Sequence, residues 1–397
     1  MWGSGRDQRL LDRMQESHLS FEKFCADFKL LAHQGFETRP KGKGAEYCEE
    51  LVGKKKLSFS KLREVGRIFS FPPQALGTIS EAEAFIRKRG GLVGLEVSRP
   101  PHIVMDASRR FAVFSNEFIA VPPRQVGISG VSGSEDLLRA LSLYLSSEFC
   151  TYHQFFVSPK WGVDQNLADL DALKKLPVPL ENLTKEDARE WNEIHREVVS
   201  LSTKRFEPLG RSDAEEQRFT ELLAVLNSKV FKVLRIRAAD RWLIEDFVHL
   251  HLQLNKGKVT QDAMRAPTPG ELQTYLSVLR DSLDGFLSAN RGVRHKLETV
   301  TARESAFISV ALQRTSEPVI PRVIPADDTT ASALLKIRDR LRQKHSQWLY
   351  FDRSLKIYDG KALYQFKPMQ RLHWTRRQAV LDADEIIAEA ASHSETT

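Results

Sequence analysis

Histidine, cysteine and serine residues that could do chemistry are present in this chain, but their spacing fits no catalytic or metal-binding pattern. Cys150 and His153 form a single C-x-x-H pair, whereas a structural zinc site needs a second pair of ligands. His249 and His251 are two residues apart, so on a helix they would face different directions. The G-x-S-x-G nucleophile motif does not occur. The sequence therefore predicts no metal site and a chain that is not an enzyme by itself.

A glycine-rich loop before a predicted helix is a candidate for binding phosphate through backbone groups. Gly127, Gly130 and Gly133 precede the helical pattern of residues 135–145, and a helix N-terminus attracts anions. The loop lacks the lysine of G-x-x-x-x-G-K-[ST] and does not match G-x-G-x-x-G, so it predicts no nucleotide cofactor in this chain. A DNA phosphate and an ordinary surface loop are the two interpretations that stay open.

Basic residues are concentrated between Glu37 and Gly130. The whole chain has 59 lysines and arginines against 52 aspartates and glutamates, a net charge of +7. This segment alone holds 16 basic against 10 acidic residues, with clusters that include Lys41 with Lys43 and residues 87–89. Such clusters neutralise phosphates and release counterions, which favours binding to nucleic acid; the alternative is a solvated surface. We expect phosphate contacts from Lys54, Lys55, Lys56, Arg109, Arg110 and Lys160.

Arg124 and Gln125 are the candidates for contacting DNA bases, and Trp161 is the candidate for stacking. The first two residues follow Val-Pro-Pro, and the prolines would hold them rigidly. Arginine binds guanine, and glutamine binds adenine, through two hydrogen bonds each. Lys160 and Trp161 lie in a Ser-Pro-Lys-Trp-Gly turn, where they could supply a phosphate contact and a stacking or wedging surface. The alternatives are that Trp161 caps a core and that Arg124 pairs with an acidic neighbour.

The elements that would position these residues have the pattern of an α+β protein. We expect an N-terminal helical segment over 1–50 and a mixed α/β domain over 51–182, in which Pro-Pro pairs separate short strands. Apolar residues at helical spacing predict a helical region over 183–315. A proline-rich connection then separates a small α+β piece over 331–397.

Individual helices and turns are also predicted by local signals. Helix N-caps are expected at Ser134, Thr184 and Thr268. The C-terminal piece is expected to have a helix over 331–345 and a hairpin turning at Asp359-Gly360. Its last helix should be capped by Thr375 with Gln378, and residues 305–312 and PHIVMDAS (101–108) should form strands.

The cellular compartment follows from composition. No apolar run of 18 residues occurs, so no transmembrane helix and no membrane partner are expected. The N-terminal stretch MWGSGRDQRLLDRM is too polar for a signal peptide. Three widely spaced cysteines fit free thiols in a reducing compartment. We therefore expect a cytoplasmic protein.

Several stretches resemble one family of enzymes. They are NEFIAVPPRQVGISG (116–130), ALSLYLSSEFCTYHQFFVSPKWGVDQNLADLDALKKLPVP (140–179), RWLIEDFVHLHLQLNKGKV (241–259) and WLYFDRSLKIYDGKALYQFKPMQRLHWTRRQAVLDADEIIAE (348–389). They are similar to the target-recognition and C-terminal regions of bacterial adenine-N6 DNA methyltransferases of restriction-modification and related phage-defence systems. The resemblance covers about residues 50–390. It implies a DNA-recognition (specificity) domain.

The chain departs from that family in the motifs that carry catalysis. Such enzymes need a glycine-containing loop for S-adenosylmethionine and an (Asn/Asp/Ser)-Pro-Pro-(Tyr/Phe) motif for the extruded adenine. The Pro-Pro pairs at 72–73, 100–101 and 122–123 have no polar residue directly before together with an aromatic residue directly after. About 50 residues precede the recognition part, which is too few for a methyltransferase domain.

The resemblance and its departures together define the expected function. We expect a specificity subunit that binds double-stranded DNA and partners a separate catalytic methyltransferase subunit, with S-adenosylmethionine on that partner. The leading alternative is a scaffold of a defence complex without DNA specificity of its own. An enzyme with an unrecognised site, such as a nuclease, is the third hypothesis.

Overall fold

The chain folds into two compact α+β units, residues 1–237 and 238–397, and the mixed α+β class is as predicted. The computed structural model describes residues 3–62, 67–159, 161, 168–255, 261–287, 292–333, 336, 355–359 and 362–394. The boundary between the units falls inside the region 183–315 that the sequence presents as one helical stretch.

The first unit begins with two capped helices, α1 (Gly5–Ser17) and α2 (Phe21–Asp27). Ser4 and Asp7 form a reciprocal capping box at α1, in which Ser4 N donates to Asp7 Oδ2 at 2.7 Å. After α2 the chain does not stay helical to residue 50. It enters strands β2 (Leu31–Gln34) and β3 (Ala45–Tyr47), so this segment helps to build the sheets of the unit.

Short strands form four small sheets in the first unit. The remaining strands are β1 (Leu19–Ser20), β4 (Lys55–Leu57), β5 (Leu76–Thr78), β6 (Phe85–Arg87), β7 (His102–Met105), β8 (Ala112–Ser115), β9 (Ile119–Ala120), β10 (Val126–Ser129) and β11 (Pro177–Val178). The largest sheet is antiparallel with the order β2-β10-β7-β8. The others are β5-β4-β9, with β4 and β9 parallel, and the antiparallel pairs β3-β6 and β1-β11. Strand β7 lies where PHIVMDAS predicts a strand.

Helices complete the first unit. They are α3 (Lys88–Glu96), α4 (Glu135–Leu145), α5 (Glu148–Val157), α6 (Leu170–Lys174), α7 (Lys185–Lys204) and α8 (Asp213–Val233). The N-cap predicted at Thr184 is present and forms a capping box, because Thr184 Oγ1 accepts from Asp187 N and the Asp187 carboxylate accepts from Thr184. Ser134 precedes α4 as predicted, but its hydroxyl donates to the Val131 carbonyl at 2.6 Å and does not cap the helix.

The second unit pairs a five-stranded sheet with helices. Its helices are α9 (Ala238–Asp246), a π-helical turn (Phe247–His251), α10 (Leu252–Asn255), α11 (Gln261–Met264), α12 (Pro269–Phe286), α13 with described residues 328–333, and α14 (Arg376–Ser394). Its strands are β12 (Val293–Thr301), β13 (Ser305–Arg314), β14 (Arg322–Pro325), β15 (Leu355–Asp359) and β16 (Ala362–Pro368), in the order β14-β12-β13-β16-β15.

Several local predictions are confirmed in the second unit. Strand β13 covers the predicted strand, and Thr375 Oγ1 accepts from Gln378 N at the start of α14. Strands β15 and β16 pair with Asp359 opposite Ala362, while Gly360 of the predicted turn lies outside the described residues. Most of the predicted helix over 331–345 also lies outside them. One face of the sheet packs on α12 and α14 around Leu279, Ile308 and Trp374.

Candidate nucleic-acid interface

The Val-Pro-Pro-Arg-Gln segment forms a β-turn in which the two predicted base-contacting residues, Arg124 and Gln125, point in different directions. Gln125 N donates to the Pro122 carbonyl at 3.0 Å, so Pro123 takes the second turn position, which its fixed φ favours. Arg124 is exposed at the third position and makes no hydrogen bond or ion pair with any residue that the structure describes. A guanidinium in this position is available to a ligand.

Gln125 points the other way, into the fold. Its side chain is 5% exposed, and Oε1 accepts from Ala107 N at 2.7 Å. This bond satisfies a backbone donor at the tip of the β7–β8 hairpin, which would otherwise be buried without a partner. In this conformation Gln125 holds the hairpin to the turn, so we assign it a structural role in place of the predicted contact with adenine.

Gly35 fixes the turn from its other side. Its N–H donates to the Gln125 carbonyl at 3.0 Å, and Phe36 N donates to the Val121 carbonyl at 2.9 Å. A Cβ at Gly35 would lie 2.0 Å from the Val121 oxygen and 2.6 Å from the Pro122 oxygen. Only glycine fits so close to these carbonyl oxygens. The hydrogen bonds from Gly35 and Phe36 clamp the turn, so Arg124 lies on a backbone that cannot shift easily.

Arg109 is buried and takes a structural role in place of the predicted phosphate contact. It is 3% exposed, and its Nε and Nη2 donate to Gln154 Oε1 at 3.1 and 2.9 Å. Nη2 also donates to the Asp169 carbonyl at 2.9 Å. Burial lowers the pKa of this guanidinium to about 10, so it stays charged at neutral pH. The side chain therefore ties the β7–β8 hairpin to α5 and α6.

Arg110 is likewise engaged within the fold. Its Nε donates to Asp106 Oδ2 at 2.6 Å, and its Nη1 donates to the Leu62 carbonyl at 2.7 Å. Asp106 is fully buried, so this ion pair compensates a charge that would be costly alone. A phosphate would have to compete with both contacts, and Arg110 is a weaker candidate than its sequence suggests.

Lys54, Lys55 and Lys56 follow one another into β4 but differ in their partners. Lys55 pairs with Glu117, and Lys56 pairs with Glu83 at 2.5 Å. Lys54 is exposed, with Nζ 5.9 Å from the centre of the Phe118 ring. Of the three, Lys54 is the one whose ammonium no carboxylate neutralises within the described part of the chain.

Trp161 packs inside the fold, and Lys160 lies outside the described residues. The tryptophan is 5% exposed, and its ring meets Phe155 edge-on with centroids 5.8 Å apart. An indole in this position supports α5 and is not presented to DNA. The structure thus agrees with the alternative interpretation of Trp161 as a core residue.

The Cys150 and His153 pair does not form a nucleophile and base. Burial raises the pKa of the Cys150 thiol to about 12 and lowers the pKa of His153 to about 3, so both are neutral at pH 7.

Within the ranges that the structure describes, no group of three or more His, Cys, Asp or Glu residues could hold a metal ion. Among the described helices, none has the length and apolar character needed to cross a membrane.

Further basic residues meet at one end of the β3–β6 ladder, and the sequence does not reveal their proximity. Ala45 lies opposite Arg87 in that ladder, and Arg39 forms isolated bridges with Ala84 and Phe85. Lys43 is close to Arg39, because Arg39 Nη2 donates to the Lys43 carbonyl at 3.0 Å. Long-range strand pairing brings Arg87 to the segment with Arg39 and Lys43, so no local pattern could have placed the two groups together.

Comparison with known proteins adds no assignment. No protein-family model matches the chain, and no curated protein matches it.

Proposed function

We propose that this chain is a specificity subunit that recognises duplex DNA for an adenine-N6 methyltransferase carried by a separate polypeptide, in a restriction-modification or related phage-defence system. The observation that carries the proposal is the Pro122–Gln125 turn, which holds an unpaired, exposed Arg124 on a clamped backbone. Preorganisation of the backbone favours specific contacts, because little loop freedom is lost on binding.

Arg124 would act by donating two hydrogen bonds to the major-groove edge of guanine, at O6 and N7. Lys54, exposed at the start of β4, would contact phosphate and fix the protein on the duplex without choosing a sequence. Methyl transfer from S-adenosylmethionine would take place on the partner, which must extrude its adenine from a duplex that is held firmly. This chain would supply that hold and the choice of site.

The experiment is a selection from a randomised duplex library with the chain and its methyltransferase together. We expect the wild type to enrich one motif, and Arg124→Ala to lose the preference for guanine at one position. A bidentate contact contributes about 1–3 kcal/mol, so discrimination should fall roughly 5- to 150-fold. Arg314→Ala is the matched control, since it removes one exposed arginine from the second unit; its motif should be that of the wild type.

Two results would contradict the proposal in different ways. If Arg124→Ala enriches the wild-type motif with unchanged stringency, Arg124 does not contact a base. If the wild type enriches no sequence with or without the methyltransferase, the chain is better explained as a scaffold of the defence complex, and its basic surface has another use.

A further inference from the structure

Four basic residues meet at one corner of the first unit, and we call them the basic corner: Arg39, Lys41, Lys43 and Arg87. The β3–β6 ladder starts at this corner with Ala45 opposite Arg87. Lys41 and Lys43 belong to the loop that leads into β3, and both are exposed, as is Arg87. The chain thus brings positions almost 50 residues apart in sequence onto one short surface.

Arg39 holds the corner together through its backbone and side chain. Its N–H donates to the Phe85 carbonyl at 3.1 Å, and its Nη2 donates to the Lys43 carbonyl at 3.0 Å. Its Nε is buried and has no hydrogen-bond partner among the described residues. This donor does not face solvent, so Arg39 contributes to the corner by fixing the loop that carries Lys41 and Lys43.

A tight turn presents the loop lysine. Ala45 N donates to the Gly42 carbonyl at 3.0 Å, and Gly44 has a φ of +71°, the left-handed conformation that glycine adopts without strain. Lys43 therefore occupies the second position of the turn, at its outer edge. Apart from the two adjoining residues, no described residue has an atom within 4 Å of a Cβ built at Gly44, so the turn stands clear of the described part of the chain.

Three cations of the basic corner lack the ion pairs that several other cations of the same unit make. Lys55, Lys56 and Arg99 each face a carboxylate, namely Glu117, Glu83 and Glu50. Lys41, Lys43 and Arg87 make no ion pair with any residue of the described ranges. Unpaired cations are available to neutralise DNA phosphates, and the release of the counterions condensed on the DNA drives such binding.

The acidic residues nearest in sequence do not cancel this charge. Glu46 lies between Ala45 and Tyr47 on β3 and is paired with Ile86, so strand alternation directs it to the face opposite Arg87. Glu37 is exposed two residues before Arg39 and makes no ion pair with any described residue. Helix α3 also begins directly after Arg87, with no acidic residue in its first turn, so its dipole adds positive potential here.

We propose that the basic corner binds the phosphate backbone of duplex DNA and supplies the main sequence-independent part of the affinity, in place of the Lys55, Lys56, Arg109 and Arg110 contacts expected from sequence. The inference rests on the proposed function. The lysines of the basic corner lie on an exposed loop and turn, and Arg87 lies at a strand end; such an open surface suits an extended polyanion. Phosphate contacts here would position the duplex, while Arg124 would contact a base.

The test compares two triple variants of the full chain by fluorescence anisotropy with a random-sequence duplex over a salt series. Lys41→Gln/Lys43→Gln/Arg87→Gln removes three unpaired cations of the corner. Lys55→Gln/Lys56→Gln/Arg99→Gln removes the same charge from paired positions and is the matched control. Each lost phosphate contact lowers the slope of log Kd against log salt by about 0.9, so we expect the corner variant to lose about 2–3 and the control variant less than 1.

Each outcome of this test is decisive. If both triple variants lose the same affinity and slope, net charge alone matters and the basic corner is not a site. If the wild type binds DNA and the corner variant binds it equally, the inference fails while the proposed function stands. If the wild type binds no DNA at low salt, both fail. Single Lys41→Gln and Lys43→Gln variants, each expected to lower the slope by about 0.9, provide the same test if the triple variant unfolds.

Discussion

Arg109 and Arg124 belong to the same basic segment but have opposite roles, and only their partners distinguish them. Arg109 is buried against Gln154, while Arg124 is exposed without a partner among the described residues. The burial of Arg109 is costly and is stabilising only because each donor finds an oxygen. Its φ of 57° is unusual for a residue other than glycine, which shows how strongly the surrounding contacts fix it.

Removing the Arg109 side chain should destabilise the first unit. Arg109→Ala leaves the Gln154 and Asp169 oxygens without their donors inside the fold, and we expect unfolding to become easier by about 2–4 kcal/mol. Arg99→Ala is the control, because Arg99 pairs with Glu50 on the surface, where such pairs contribute about 0–1 kcal/mol. Guanidinium unfolding of both variants measures the difference; equal losses would show that Arg109 is not a structural link.

Buried His153 should make stability fall in mild acid. Burial lowers its pKa from 6.5 to about 3 in the folded chain. Between pH 3 and pH 6.5 the imidazole is protonated in the unfolded chain but neutral in the folded chain. The contribution of His153 to the free energy of unfolding is therefore fully present above pH 6.5 and is lost as the pH falls toward 3. One such group contributes a slope of up to about 1.4 kcal/mol per pH unit.

The variant His153→Gln isolates this contribution. Its unfolding free energy should decrease less steeply than that of the wild type between pH 6 and pH 4.5, whatever its stability at pH 7. His102 and His195 also have lowered pKa values, about 4 in each case through burial, so part of the acid sensitivity should remain. Parallel pH profiles for wild type and variant would contradict the assignment.

At the scale of elements, a buried polar cluster joins β16 to α12 and α14. Lys367 and Asp382 form an ion pair with each side chain only 3% exposed, and Tyr275 donates to the same carboxylate. Lys367 Nζ also lies 2.9 Å from the Tyr275 hydroxyl and 4.3 Å from the centre of its ring. Gln378 donates to the second carboxylate oxygen at 2.8 Å. The cluster links these elements, because the donors to the Asp382 carboxylate come from all three of them.

Removing one partner of the Lys367–Asp382 ion pair and replacing both partners should have different effects on stability. Lys367→Met leaves a buried carboxylate without its cation, and we expect a loss of about 3–5 kcal/mol. Lys367→Met combined with Asp382→Leu removes both charges and should recover most of that loss. Thermal and denaturant unfolding of the two variants provide the measurement. A double variant that is less stable than the single variant would contradict the expectation that the unpaired carboxylate causes the loss.

At the scale of the whole molecule, local features were predictable and long-range ones were not. The caps at Thr184 and Thr375 and the strand at 305–312 depend on neighbours within a few residues, and they are confirmed. Strands β8 and β9 are separated by only three residues of the chain, but they belong to different sheets. Strand β8 pairs with β7, whereas β9 pairs with β4.

In the candidate interface, too, contacts between residues distant in sequence could not be predicted. Arg124 and Gln125 are adjacent, and both are expected from sequence to contact bases. The hydrogen bond from Ala107 N, 18 positions away, holds Gln125 inside the fold, whereas Arg124 is exposed. Lys55 and Lys56 look like phosphate ligands until strand pairing places Glu117 and Glu83 beside them. Charge counting locates the basic domain, whereas only the fold decides which of its cations are left without a partner.

The central claim is that this chain binds duplex DNA through unpaired basic residues. The most direct measurement is a fluorescence anisotropy titration of the purified wild-type chain with a random duplex at salt concentrations from about 50 to 200 mM. We predict binding that weakens linearly in log Kd against log salt, with a slope that corresponds to three or more phosphate contacts. Absence of binding at the lowest salt, or a Kd that does not depend on salt, would contradict the account.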